Sequence, residues 1–223
     1  MAVLDPTILA ALRAIDSPTI ANAIEAFAVR DRTEGYLSHR IRCLFPEMGV
    51  LAGYAVTATV DTTTPGGPKS RAGAQQLYEM LAAAPKPAVV VLEAVGPRLE
   101  YSCVAGGIMA TLMHRLGAVG LLTNGGVRDL ADMRGLGFRL FAPGTVVAHG
   151  TIGILEVGRP VTIDGLTIRP GDLLHGDENG LVLVPGEIDG AALLAEAERV
   201  QATERERIVY ANSPDFSVEG LRR

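Results

Sequence analysis

Gly106–Asp129 reads GGIMATLMHRLGAVGLLTNGGVRD, and this stretch decides the fold. After the paired glycines, Met109, Leu112, Met113 and Leu116 recur at helical spacing, and Gly117 stands where such a helix would stop. Ala118 to Thr123 is short and almost wholly apolar, the pattern of a strand buried on both faces. Asn124-Gly125-Gly126 breaks it, and Val127-Arg128-Asp129 opens a second helical pattern that runs through Leu130 and Met133. The implied order is helix, strand, glycine loop, helix. In α/β sheets, ligands bind where loops leave the carboxyl ends of strands, so this loop is the first place to look for chemistry.

The charges at the loop sharpen that expectation. The dipole of a helix favours an Asp in its first turn and disfavours an Arg. Asp129 thus reads equally well as a helix-start residue. Arg128 is a cation at a positive helix end, a cost that a bound anion would offset, and Arg suits a carboxylate through two parallel hydrogen bonds. A solvated arginine or a structural salt bridge is the competing account. Gly106 and Gly107 extend the anion argument, because free N–H groups at a helix start attract anions. A tight turn would explain the same pair.

Working outward, 223 residues suffice to bury a sizeable core. Hydrophobic residues make up 48% and aromatics 4%, so the core is built from Ala, Val, Leu and Ile, as in α/β proteins. The formal charge is −5 with no Lys/Arg run, which argues against nucleic acid as a partner. Cys43 and Cys103 form no CxxC pair, which points away from zinc and redox motifs and toward reduced thiols in a cytoplasmic protein. The amino-terminal segment has no basic region ahead of an apolar stretch, and no apolar run is long enough to span a bilayer, so neither a signal peptide nor a membrane partner is expected.

Asp5-Pro6 and Ser17-Pro18 each open a short helix. Val50-Leu51-Ala52 and Ala55–Val60 read as two strand pieces, and TTTPGGPK at 62–69 as a loop, either a surface connection or a mobile lid. Ser70–Ala83 reads as a helix and Ala88–Leu92 as a buried strand. Glu93 ends that strand near the expected site, where it could orient a water or a metal or be satisfied by backbone groups. From Thr145 to Pro185, short apolar runs alternate with turn pairs, the pattern of antiparallel hairpins. His175 and Asp177 lie there. Two residues do not make a metal site, and a turn-forming Asp is the better account. A charged helix over about 187–210 and a loose tail over 211–223 complete a single domain, 1–223, of mixed α and β layers.

The segment GAVGLLTNGGVRDLADMRGLGFRLFA, together with RPGDLLHGDENGLVLVP, resembles the RraA-like family. That family comprises class II pyruvate aldolases acting on 4-hydroxy-4-methyl-2-oxoglutarate and 4-carboxy-4-hydroxy-2-oxoadipate, and the regulator of ribonuclease E activity. The resemblance implies a swivelling β/β/α fold and a homotrimer, in some members paired into a hexamer, with sites between subunits. It implies a divalent cation, Mg²⁺ or Mn²⁺, and a pyruvate enolate. Arg128 would pair with the keto-acid oxygens, Asp129 would hold the metal, and the backbone of Gly106, Gly107, Ile108 and Met109 would receive the pyruvate carboxylate. Glu204 would come across from an adjacent subunit as a catalytic carboxylate, with Glu206 as its competitor.

Two departures from the aldolase pattern stand out. Gly107 occupies a position that is usually Asp or Glu, and Asn124-Gly125 replaces Asp-Gly. Both remove a negative charge that a hard cation would use. The implied activity is cleavage of a 4-hydroxy-2-oxo diacid to pyruvate and a second oxo acid, with oxaloacetate decarboxylation as a related reaction. The alternative is a non-catalytic ring that binds a protein partner, as the ribonuclease regulator does.

Overall fold

The computed structural model describes residues 3–67 and 69–222. Two short helices, α1 (Pro6–Leu12) and α2 (Ser17–Glu25), open the chain, each started by an aspartate. Asp5 accepts a hydrogen bond from the Thr7 amide (2.7 Å) and Asp16 one from the Thr19 amide (2.9 Å). In both, a proline in the first turn sits where its missing N–H costs nothing.

After β1 (Arg42–Cys43) comes β2 (Leu51–Asp61), one unbroken strand of 11 residues where the sequence suggested two pieces. Gly53, which interrupts the apolar pattern, lies against the next strand's approach: a Cβ there would come within 2.7 Å of the Pro87 carbonyl. There follow α3 (Ala72–Ala83), β3 (Ala88–Val95), β4 (Cys103–Ala105), α4 (Gly107–Arg115), β5 (Ala118–Thr123), β6 (Gly126–Val127), α5 (Leu130–Gly135) and β7 (Arg139–Ala142). The expected hairpin region supplies β8 (Gly153–Val157), β9 (Val161–Ile163), β10 (Leu166–Ile168), β11 (Leu173–Asp177) and β12 (Gly180–Val184), before the long helix α6 (Gly190–Ala211).

The main sheet runs β1-β7-β5-β3-β2-β11-β12, with β8 also paired to β2. Its centre, β2-β3-β5-β7, is parallel. The flanking β11, β12, β8 and β1 pair antiparallel. Parallel strands need both faces covered, and their near-continuous apolar sequences reflect that. On one side α3, α4 and α5 pack over Val56, Val90, Leu92 and Leu121. On the other, β9 and β10 close over Val89, Val91 and Leu122. A third cluster joins α1, α2 and α6 to β11 and β12 through Ile20, Leu173, Val184 and Leu193.

Beside that third cluster lies a deeply buried imidazole. His175 Nε2 faces the Leu12 carbonyl (3.0 Å), which can only accept, so Nε2 carries the proton and Nδ1 accepts from the Ser17 hydroxyl (2.9 Å). Asp177 accepts from the Ser17 amide (2.7 Å) and from the Asn179 amide (2.8 Å). Both residues fasten the helical pair to the hairpin, which is the turn account and not the metal one.

Candidate functional site

The site is assembled where β5, β6 and α4 converge. Thr123 Oγ1 accepts from the Gly125 amide (2.9 Å), turning the chain out of β5. A Cβ at Gly125 would lie 2.8 Å from Ala94 and Val104, and one at Gly126 would lie 2.6 Å from Val146, so only glycine lets these segments approach.

The chain does not enter a helix at Val127, as its pattern suggested. Gly126–Val127 is extended and pairs parallel with β4, and the Arg128 amide donates to the Ala105 carbonyl (3.0 Å). The open edge of β4, distant in sequence, captures these two residues and delays the helix to Leu130. Asp129 makes the turn in the left-handed region (φ 59, ψ 45). Asp tolerates that conformation better than most residues, and such strain gathers at functional sites.

The result places Arg128 and Asp129 over the start of α4. Asp129 Oδ2 accepts from the Gly107 amide (2.9 Å), and Arg128 Nε lies 3.5 Å from the same oxygen. A Cβ at Gly106 would come within 2.6 Å of Asp129 Oδ2 and 3.1 Å of Arg128 Nε, so this glycine admits both side chains. The Gly107 amide is thereby committed to Asp129. The amides of Ile108 and Met109, in the first turn of α4, have no helical partner to bond.

These groups front a cavity of about 580 Å³. Gly106, Ile108, Met109, Arg128 and Asp129 line it, along with Lys69, Arg71, Tyr78, Cys103, His149 and Ile152. Its size is that of a small-molecule site. The Cys103 thiol is pushed up by burial, an effect the neighbouring Arg128 only partly offsets, so it stays protonated at neutral pH and is a poor nucleophile.

From the loop after β2, Gly66 and Lys69 also line the cavity, and its described residues are pinned at Asp61. Asp61 Oδ1 accepts from the Thr63 and Thr64 amides (2.9 and 3.1 Å), and Lys69 Nζ pairs with Oδ2 (2.6 Å). Burial would raise the Asp61 carboxyl, but the Lys69 pair and these hydrogen bonds outweigh it and hold it well below the usual carboxylate range.

Other candidates lie elsewhere. Glu93 accepts from the Thr162 amide (3.0 Å) and belongs to the sheet, the backbone-satisfied outcome. Asn124 Oδ1 accepts from the Ala94 amide (2.6 Å) while its Nδ2 donates to the Ala94 carbonyl (3.3 Å), so the amide that stands in place of an acid clamps β3 to the glycine loop. Glu204 lies on α6, accepts from Asn22 (3.2 Å), and does not line the cavity of its own chain.

One residue escaped the sequence reading. A Cβ at Gly107 would run into the Asp132 carboxylate, with Asp132 Cβ at 3.0 Å. The space a longer side chain at 107 would enter is therefore already taken by an acid from α5. The spacing Asp129-x-x-Asp132 was the only available signal, and in sequence it reads as an ordinary acidic first turn.

No group of three or more His, Cys, Asp or Glu side chains among the described residues is arranged to hold a metal. Mg²⁺ typically keeps several waters and takes only one or two carboxylates beside substrate oxygens. Among the described residues Asp129 is the one carboxylate lining the cavity, a donor set that would suit such a shared ion and not a metal caged by protein alone.

Comparison with known proteins places this architecture. The family model RraA-like (Aldolase/RraA) matches residues 18–183, most of the chain, and the chain belongs to that family. A Halalkalibacterium halodurans protein provisionally named 4-hydroxy-4-methyl-2-oxoglutarate aldolase is 30% identical over 126 residues, 56% of this chain and 59% of that protein. The chain thus spans little more than half the length of that relative. An uncharacterized Pseudomonas syringae protein of known structure superposes with a TM-score of 0.74 at 25% identity, covering 99% of this chain and 95% of that one. Streptomyces coelicolor RraAS2, described as an unusual member of the RNase ES inhibitor RraA protein family, gives 0.72 at 22% identity, covering 93% and 98%. The mixed sheet with flanking helices is thus the RraA fold. No helix among the described residues is long and apolar enough to cross a membrane.

Proposed function

We propose that the chain is a cytoplasmic lyase that cleaves 4-hydroxy-2-oxo diacids to pyruvate and a second oxo acid, assisted by Mg²⁺ or Mn²⁺, and that it also decarboxylates oxaloacetate. One observation carries this reading: Arg128 and Asp129 stand side by side over the amino-terminal turn of α4, at the mouth of a cavity of small-molecule size.

The substrate's 1-carboxylate is received by the Ile108 and Met109 amides, where N–H groups and the helix dipole favour an anion. Arg128 donates to the 2-oxo oxygen. When the C3–C4 bond breaks, its electron pair passes through C3 toward that oxygen, and a fixed guanidinium stabilises the developing charge. Asp129 would hold the divalent ion, which when bound would supply Lewis-acid stabilisation of the developing charge. The C4 hydroxyl gives up its proton in the cleavage, and C3 of the enolate is protonated to give pyruvate. Asp129 is given to the ion, and its Oδ2 accepts from the Gly107 amide, so the proton acceptor is assigned to Glu204 of a neighbouring subunit in a homotrimer, or in a hexamer built from two. Decarboxylation of oxaloacetate needs no such base, so it depends least on that subunit.

A coupled pyruvate assay on 4-hydroxy-2-oxo diacids and on oxaloacetate, with and without Mg²⁺ or Mn²⁺, tests the reading. Metal-stimulated pyruvate release is the expected result. No release from any of them, together with stable association with a protein partner, would replace it with the regulator reading.

A further inference from the structure

We propose that Arg71 is a specificity-determining residue: its guanidinium takes a second carboxylate, so that the cavity selects dicarboxylate oxo acids over monocarboxylates. This rests on reading the cavity as an oxo-acid site.

The charges on the cavity wall are unevenly compensated. Lys69 is neutralised by Asp61 at 2.6 Å. Arg128 shares Asp129 at 3.5 Å, and His149 Nδ1 is engaged with the Gly150 carbonyl at 2.8 Å. Arg71 also lines the cavity, yet it makes no ion pair and no side-chain hydrogen bond among the described residues. It immediately precedes α3, a helix of 12 residues, where a cation is disfavoured unless an anion joins it. The remaining wall includes Tyr78, Met109, Ile152 and Ile154, which suits the carbon chain of a ligand with charged ends. Among the described residues Asp129 is the one carboxylate lining the cavity, and it is already shared with Arg128 and the Gly107 amide. A monoanion at α4 would leave the solvent-exposed Arg71 to water, whereas a dianion engages both ends. Guanidinium binds carboxylate through paired, charge-assisted hydrogen bonds, which a methyl group in the same place cannot replace.

The test compares 2-oxoglutarate with 2-oxopentanoate, identical in length but with a methyl for the distal carboxylate, using calorimetry in Mg²⁺ buffer with pyruvate as the reference ligand. The wild-type protein is expected to prefer 2-oxoglutarate by about 10- to 100-fold. Arg71→Leu should abolish that preference while pyruvate binds as before, which also shows that the variant is folded. Arg71→Lys should keep part of it. In turnover, Arg71→Leu should raise KM for a diacid far more than it lowers kcat. Pyruvate binding with no diacid preference in the wild type, or a preference that survives in Arg71→Leu, overturns the proposal alone. Failure of all three acids to bind overturns it together with the oxo-acid reading.

Discussion

Placing an aspartate at Gly107 would restore the acid usual in the aldolases this sequence resembles, and the structure predicts that the substitution alone is unfavourable. The new Cβ would meet the Asp132 carboxylate, with Asp132 Cγ at 3.1 Å, and the neighbouring amide is already bonded to Asp129. Two carboxylates about 5 Å apart repel by roughly 1–3 kcal/mol for effective dielectrics between about 80 and 20. Asp132 is exposed, so the lower part of that range applies. A carboxylate in the first turn of α4 regains about 0.3–1 kcal/mol from the helix dipole. The net destabilisation of Gly107→Asp is then about 0.5–2 kcal/mol, a fall in melting midpoint of about 1–8 °C for a chain of this size. Asp132→Asn removes the repulsion, so the double variant should recover most of the loss. Thermal and urea denaturation of the four proteins in chelator-containing buffer completes the cycle. A coupling energy of at least about 0.5 kcal/mol is expected. Strict additivity, with Gly107→Asp costing the same whether position 132 carries Asp or Asn, would refute the claim that two carboxylates repel across this space.

Arg128→Ala should lower pyruvate release by about 10²- to 10³-fold, the usual cost of losing a donor to a developing oxyanion. Its half-exposed pair with Asp129 should contribute no more than about 1 kcal/mol, so the melting midpoint should move by less than about 4 °C. A much larger melting shift would mean that the arginine is structural. Asn124→Asp should destabilise by about 1–3 kcal/mol, because a carboxylate cannot donate to the Ala94 carbonyl and would face it unpaired. Unfolding by urea measures this, and an unchanged midpoint would refute the clamp. Burial depresses the His175 imidazole below its ordinary value, so its neutral form is the folded one. Its contribution is complete above the unfolded value near 6.5 and is lost as pH falls from there toward the depressed folded value. Urea midpoints between about pH 7.5 and 5 should therefore fall with pH. The slope should flatten in His175→Gln, and an equal slope in both proteins would move the acid sensitivity elsewhere.

Much of the fold was legible because its signals are local. The periodicity of Met109, Leu112 and Met113, the apolar run 118–123 and the turn pairs after 145 each report on residues that touch their own neighbours in sequence. The errors came where distant segments decide. Val127 and Arg128 carry a helical pattern, but the free edge of β4 offers hydrogen bonds that a helix beginning there would forgo. The two strand pieces expected at 50–52 and 55–60 are one strand, and Gly53 between them is the place where the Pro87 carbonyl comes close.

The candidate site shows the same division. Arg128 and Asp129 could be singled out because a charge pair after a glycine loop is visible in one dimension. Asp132 could not, since its relevance is defined by the empty volume at Gly107, a residue 25 positions earlier on another helix. Position-by-position comparison with the aldolases therefore counts the acid at 107 as lost, whereas in space a carboxylate occupies the vacated volume. Whether that acid serves the ion depends on reach, because Asp132 stands beside Gly107 and does not itself line the cavity. A bridging water would give it that reach, since Mg²⁺ retains its waters readily. On that basis Asp132→Asn should weaken Mn²⁺ binding measured with oxalate present. Unaltered binding in that variant would leave Asp129 as the only acidic donor.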